Sequence, residues 1–241
     1  MLAAFRRLFD RLPGHRAHSR LIYVHIGKCG GESLWNSIQI SPIISQRFSR
    51  LKKVHVEKPP ICKKDQYIFV VRNPISRAIS AFNWRYHLVV ETQKQRGRFA
   101  GEFEILERYQ TMNQLAHQLY SDGVLNAKVA EDFLSIHHLR ESISFYLEEL
   151  LSKIRADQIF GVFTTEFLDI ETESRLGVCA MEKIHEHASK TGKQNLHLTK
   201  LAAANLQHFL RPDFEALMRL CELGNVAIEK RNVLFKGFAP D

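Results

Sequence analysis

Residues 21–34 read L-I-Y-V-H-I-G-K-C-G-G-E-S-L, and this stretch decides the fold. The run 21–26 is apolar and rich in β-branched residues, as a strand buried on both faces of a parallel sheet would be. It stops at Gly27; Lys28 follows at once, then the pair Gly30-Gly31, then Ser33 at the start of a helical pattern. Glycines permit a tight turn with exposed backbone N–H groups, and the following helix aims the positive end of its dipole at the same place. With Lys28 and Ser33 added, the stretch reads as a cradle for a phosphate or sulfate group. It is not a Walker A loop, in which the lysine follows the glycines and stands next to a hydroxyl residue.

A second stretch, residues 67–84, reads Y-I-F-V-V-R-N-P-I-S-R-A-I-S-A-F-N-W. A second buried strand, 67–71, ends in Arg72. Pro74 stands where a helix would begin, and Ile75, Ala78, Ile79 and Phe82 give that helix an apolar stripe. Ser80 falls eight residues beyond Arg72, roughly two turns into the helix. A guanidinium fork at a strand end and an inward-turned hydroxyl can hold one phosphate between them.

Together the two stretches resemble the PAPS-dependent sulfotransferases, in particular their carbohydrate and heparan-type branch. Lys28-Cys29-Gly30-Gly31-Glu32-Ser33 is similar to that family's 5′-phosphosulfate loop, commonly K-T-G-G-T-S, and V-V-R-N-P-I-S-R-A-I-S-A-F to its 3′-phosphate segment, R-[DN]-P-x-x-R-x-x-S-x-[FY]. The resemblance implies a P-loop-NTPase-like sulfotransferase fold and transfer of a sulfuryl group from PAPS, leaving PAP, with no metal. Lys28 and Ser33 would bind the 5′-phosphosulfate along with the loop residues Cys29, Gly30, Gly31 and Glu32, and Arg72 and Ser80 would bind the 3′-phosphate. Residues 159–167, I-F-G-V-F-T-T-E-F, resemble the family's late strand and T-E turn. Residues 187–191, H-A-S-K-T, are similar to its basic-hydroxyl loop, which would bring Lys190 and Thr191 to the nucleotide. Residues 85–153 match nothing in the family. Three departures stand out: Gly27 where the family usually has proline, Cys29 for a common threonine, and Glu32 for a hydroxyl residue. Glu32 would repel the cofactor unless it turns away or serves the helix N-terminus, where a carboxylate is favoured.

The chain has 241 residues, 45% of them hydrophobic and 25% charged, which suits one globular domain of ordinary size over residues 19–241. Its formal net charge of +8 suits an anionic cofactor, and equally nucleic acid. Cys29, Cys62, Cys179 and Cys221 show no C-x-x-C spacing, so neither a zinc site nor a dense disulfide framework is expected. No run of apolar residues is long enough for a membrane span and no secretory signal is recognised, so a reducing cytoplasm is expected. Residues 1–18 form a separate basic amphipathic segment, with Leu2, Phe5, Leu8, Phe9 and Leu12 at helical spacing and Arg6, Arg7 and Arg11 between them. A helix docked on the chain's own domain, or a frayed terminus, is the preferred reading, and contact of residues 1–12 with an anionic membrane surface is the alternative.

Elsewhere the pattern predicts a helix from Ser33 to about Ile40, then a Ser/Pro-containing link and a strand over 53–57 stopped by Pro59-Pro60. A helix over 74–90 is followed by a polar, basic surface loop, 91–101, carrying Lys94, Arg96 and Arg98. Helices are expected over 103–120, 126–137 and 142–154, a strand over 159–163, and a helix within 165–179. A polar loop over 189–197 precedes a last helical stretch, capped by Thr199 and divided by Pro212, that runs to Leu223. Strands alternating with helices imply an α/β fold with a central parallel sheet flanked by helices.

Sulfuryl transfer, like phosphoryl transfer, depends on in-line positioning and charge stabilisation. Lys28 can neutralise charge on the bridging and leaving oxygens. A hydroxyl acceptor also needs a base, and the sequence leaves open whether that acceptor is a glycan, a lipid, a peptide or a small alcohol. The expected strand K-K-V-H-V-E-K puts His55 and Glu57 at i, i+2 on one side, with His55 as base and Glu57 as the alternative base or the group that orients it. His25 reads as a hydrogen-bonded core histidine. The adjacent His137 and His138, on different faces of a helix, make a poor metal pair, and His185 and His187 lack a third ligand. Two other functions fit the composition: a P-loop-type nucleotide kinase or NTPase, and a non-catalytic basic protein binding nucleic acid or acidic glycans. The first lacks a correctly placed lysine and a Walker-B-like carboxylate. The second lacks a recognisable nucleic-acid-reading motif, so no nucleic-acid partner is expected.

Overall fold

A computed structural model of the chain describes residues 20–178 and 197–238. The sheet begins with β1 (Arg20–His25), buried from Leu21 onward. Its chain turns through residues 26–30 into α1 (Gly31–Ile40). Helix α2 (Pro42–Arg47) follows, with Ser41 as N-cap and Pro42 in its first turn. Ser41 before Pro42 is a helix-start signal within the segment expected to be a Ser/Pro-containing link.

Strand β2 (Arg50–Val54) pairs parallel with β1, from Arg20 opposite Arg50 to Val24 opposite Val54. It is an edge strand, and its Arg50, Lys52 and Lys53 discourage pairing with another chain. The strand expected over 53–57 is therefore displaced toward the N-terminus. Pairing with β1 ends at Val54, and Val56 turns into left-handed backbone (φ 55°), exposing a side chain that the alternation V-H-V-E had placed on a strand face.

An irregular crossover leads to β3 (Gln66–Val71), which lies on the other side of β1. Helix α3 (Pro74–Tyr86) follows directly, with Asn73 accepting from the Ser76 amide at 3.0 Å as its N-cap. It runs into a π-helical turn, His87–Glu91. Helices α4 (Glu102–Tyr109), α5 (Met112–His117), α6 (Ala127–Ser135) and α7 (Ile143–Lys153) fill the long crossover to the last strand of the sheet. Between α5 and α6, β4 (Tyr120–Ser121) and β5 (Val124–Leu125) form a hairpin. The single helix expected over 103–120 is thus two. Gln110 takes left-handed backbone (φ 55°) and Thr111 caps a new start, while Asp122-Gly123 is an overlooked hairpin signal.

Strand β6 (Ile159–Thr164) pairs parallel with β3 and completes a four-stranded sheet of order β2-β1-β3-β6. Helices α8 (Leu168–Leu176), α9 (Lys200–Phe209), α10 (Arg211–Leu223) and the unforeseen α11 (Ile228–Leu234) complete the described residues. The protein is therefore α/β with a central parallel sheet flanked by helices. One core packs the strands against α1, α2, α7, α8 and α10; a second joins α3 to α4, α5, α6 and α9. No helix among the described residues is long and apolar enough to cross a membrane. The segment 1–18 and the loop holding Lys190 and Thr191 lie outside the described residues.

Candidate functional site

The chain leaves β1 to one side for β2 and to the other for β3, so the strand order reverses between β1 and β3. In open parallel sheets the crevice at such a reversal, beyond the carboxyl ends of the strands, is where ligands bind. Lys28 follows the end of β1 and Arg72 follows the end of β3, so the two segments singled out by sequence flank this crevice.

The loop between β1 and α1 is held open by close packing. Gly30 has left-handed backbone (φ 75°) and is the N-cap of α1, with no side-chain cap on the first amides of the helix among the described residues. A Cβ on Gly31 would lie 2.0 Å from the His25 ring, and one on Gly27 would lie 2.7 Å from His138 Nδ1. Tyr23 fastens the helix start by donating to the Gly31 carbonyl at 2.8 Å. The Thr165 hydroxyl, just after β6, lies 2.9 Å from the Cys29 carbonyl and 3.2 Å from that of Val71, linking the ends of three strands.

Arg77 is 2% exposed and clamps the site from α3. Its guanidinium donates to the carbonyls of Gly27 (3.0 Å), His138 (2.7 Å) and Glu141 (2.5 Å). The turn bearing His137 and His138 is held from its far side by a buried ion pair. Glu102 accepts from Arg85 at 2.9 and 2.6 Å and from the His137 amide at 2.9 Å. Arg85 also reaches Gln95 at 2.5 Å, and Arg96 and Arg98 lie over the rings of Phe103 and Phe99. The basic loop over 91–101 is thereby tied to the body of the protein.

Lys28, Val56 and His138 all adopt left-handed backbone, at φ 69°, 55° and 68°. Such conformations are uncommon for residues with side chains, and cluster where function constrains the chain. The Lys28 ammonium sits 4.6 Å from the centre of the Trp84 ring. Burial, and then the nearby Arg72 guanidinium, lower its pKa to about 8. Arg72 Nε is buried with no hydrogen-bond partner among the described residues. Two cationic residues therefore follow the strand ends that flank the crevice, and no carboxylate ion-pairs with either among the described residues.

The remaining sequence-predicted residues divide. Ser33 is exposed in the first turn of α1, and Ser80 is half-buried on α3. The Cys29 thiol turns into the core, 3.9 Å from the Gly27 carbonyl, and burial pushes its pKa up to about 11, so only its backbone belongs to the loop. Glu32 turns toward β2, where it meets Lys53 at 2.6 Å and lies 3.5 Å from His25 Nδ1. His25 is in the core as expected, yet its Nδ1 has no hydrogen-bond partner among the described residues. Burial, followed by His55, lowers its pKa to about 3, which keeps the ring neutral.

His55 follows the end of β2, stacked on His25 with ring centres 4.4 Å apart, and its Nδ1 is 3.1 Å from the His25 carbonyl. A carbonyl only accepts, so Nδ1 is the donor here, and in the neutral ring Nε2 then carries the lone pair. Glu57 does not share a strand face with His55. It is exposed beyond the Val56 turn and pairs with Lys52 at 3.4 Å. His137 and His138 lie past the end of α6 rather than on it, their ring centres 4.1 Å apart. Among the described residues no three His, Cys, Asp or Glu side chains converge as a metal-ligand set.

Sequence reading missed His138, Trp84, the role of Thr165 and the role of Arg77. Arg77 stands inside the quoted R-N-P-I-S-R pattern, so its position was visible although its partners were not.

Lys28 makes the site pH-sensitive. Its ammonium is lost as pH rises through about 8, so affinity for inorganic sulfate, which does not titrate here, should fall above that pH by up to roughly tenfold per unit. Lys28→Met should abolish the slope in a calorimetric titration from pH 6.5 to 9.5; a slope retained in the variant would assign it to another group. Because the folded state disfavours the ammonium, unfolding releases this constraint and stability should rise between pH 8 and the ordinary lysine value. Below pH 8 Lys28→Met should stabilise the fold by up to about 3 kcal/mol.

No protein-family model, curated protein or solved structure matches this chain.

Proposed function

We propose that the crevice between β1 and β3 binds an anionic nucleotide and that the protein is a PAPS-dependent sulfotransferase acting on a hydroxyl-bearing acceptor. The observation that carries this reading is the pairing of Lys28 and Arg72 at the strand-order reversal, with no carboxylate bound to either among the described residues. The residues fit the group. The uncapped amides of α1 and the Lys28 ammonium suit a 5′-phosphosulfate, and the Arg72 guanidinium with Ser80 suits a 3′-phosphate.

Bound PAPS would supply an activated sulfuryl group on a phosphate leaving group. Below about pH 8 the Lys28 ammonium remains charged and can offset charge developing on the leaving oxygens. In the neutral ring, with the Nδ1 proton committed to the His25 carbonyl, His55 Nε2 can take the acceptor hydroxyl proton. Stacking on His25 and the turn at Val56 hold the His55 ring at the end of β2.

Calorimetry with PAP and with Mg-ATP, together with transfer of labelled sulfate from PAPS to pooled hydroxyl acceptors, tests the proposal. PAP should bind without metal and label should appear in one acceptor class. Arg72→Ala should weaken PAP binding by roughly 2–5 kcal/mol, the cost of leaving a buried charge without its partner. Unchanged PAP affinity in that variant would remove the 3′-phosphate assignment, and binding of Mg-ATP in place of PAP would favour a nucleotide kinase or NTPase.

A further inference from the structure

His138 belongs to no motif, yet it reaches the mouth of the loop. It lies between α6 and α7, and its ring occupies the space that any side chain at position 27 would need, 2.7 Å from an added Cβ. The His138 backbone is left-handed (φ 68°), its carbonyl is held by Arg77 at 2.7 Å, and its amide donates to the Glu141 carboxylate at 3.2 Å. Arg77 from α3 and Glu141 from the same turn thus hold the His138 backbone in an unfavourable conformation, an arrangement that points to use rather than accident. Its Nδ1 is buried with no hydrogen-bond partner among the described residues, and its ring centre is 5.7 Å from that of His55.

We propose that His138 is a ligand-contacting residue of the loop, seated in the space left by Gly27, whose uncharged imidazole donates a hydrogen bond to the anion held by Lys28 and Arg72. The proposal rests on the anion-binding part of the reading above and not on PAPS or sulfuryl transfer.

An uncharged donor suits this place. Burial lowers the His138 pKa to about 2, helped by His137, His55, Lys28 and Arg77, which all face it, so the ring stays neutral throughout the physiological range. A protonated ring would add a further positive charge beside Lys28 and Arg77. A neutral ring adds a directed N–H without that repulsion.

Sulfate binding to the full chain, followed by calorimetry and by the imidazole ¹⁵N resonances, tests the proposal. His138→Ala should weaken sulfate binding by roughly tenfold to a hundredfold, the range for one hydrogen bond to a charged group. His138→Asn, which tolerates left-handed backbone and keeps a donor, should recover part of the loss. Gly27→Ala should displace the ring and weaken binding in the natural chain, but add little in the His138→Ala background. The His138 ring resonances should shift on saturation with sulfate, which a purely structural histidine would not require. Resonances that stay in place at saturation, or a folded His138→Ala protein with natural affinity, would overturn the proposal, and failure of the natural chain to bind sulfate would overturn it along with the anion site. A PAP titration separates the two readings: sulfate binding that depends on His138, with no affinity for PAP, would leave this proposal standing and remove the cofactor.

Discussion

His55→Ala is expected to lower the rate of sulfuryl transfer by about 10²–10⁴, the usual range for loss of a general base, while PAP affinity stays within about twofold. The separation follows from placement. His55 stands at the end of β2, on the far side of β1 from Arg72, and its Nδ1 is committed to the His25 carbonyl at 3.1 Å. Only Nε2 can serve an acceptor, and nothing in its geometry serves the nucleotide. Glu57→Gln is the informative control. Glu57 is exposed and pairs with Lys52, so this variant should keep near-normal turnover. Single-turnover rates with PAPS and the identified acceptor decide the matter. A large loss in Glu57→Gln with His55→Ala still active would transfer the role of base to the carboxylate.

Arg77→Met is expected to destabilise the fold by roughly 3–5 kcal/mol, because it strands the buried carbonyls of Gly27, His138 and Glu141 at once. Lysine is a poor substitute, since one ammonium cannot reproduce a planar fork that spans two loops. Urea unfolding should show a lower midpoint with an unchanged slope, the mark of altered stability rather than an altered unfolded state. Variants that remain folded should also bind sulfate weakly, because the clamp sets the spacing between the loop after β1 and the turn at His138. A loss below about 1 kcal/mol would mean that water replaces the guanidinium at these carbonyls and that the clamp is dispensable.

The parts of the site that were legible in sequence are those whose chemistry is local. A strand buried on both faces must be continuously apolar, and the runs ending at Ile26 and Val71 show this without reference to anything distant. Gly30 and Gly31 mark a turn that L side chains would obstruct, and Asn73-Pro74 marks a helix start through its cap and its fixed backbone angle. Reading failed where two patterns competed. V-H-V-E alternates like a strand, yet pairing with β1 uses residues 50–54 and leaves Val56 turned outward, which parts Glu57 from His55.

By itself, then, the sequence determined the two buried strands that carry the site, the glycine loop with Lys28, the helix that follows it, and the position of Arg72 at a strand end. Tertiary structure alone decided which groups meet there. The strand order puts β1 between β2 and β3, and so brings His55 to His25 and Lys28 within the electrostatic reach of Arg72. Arg77 reaches His138 across 61 residues of chain, and Thr165 reaches Cys29 across 136. The physical reason is that a short motif records the backbone conformation and burial of its own residues, whereas these contacts depend on the packing of segments whose local patterns carry no trace of one another.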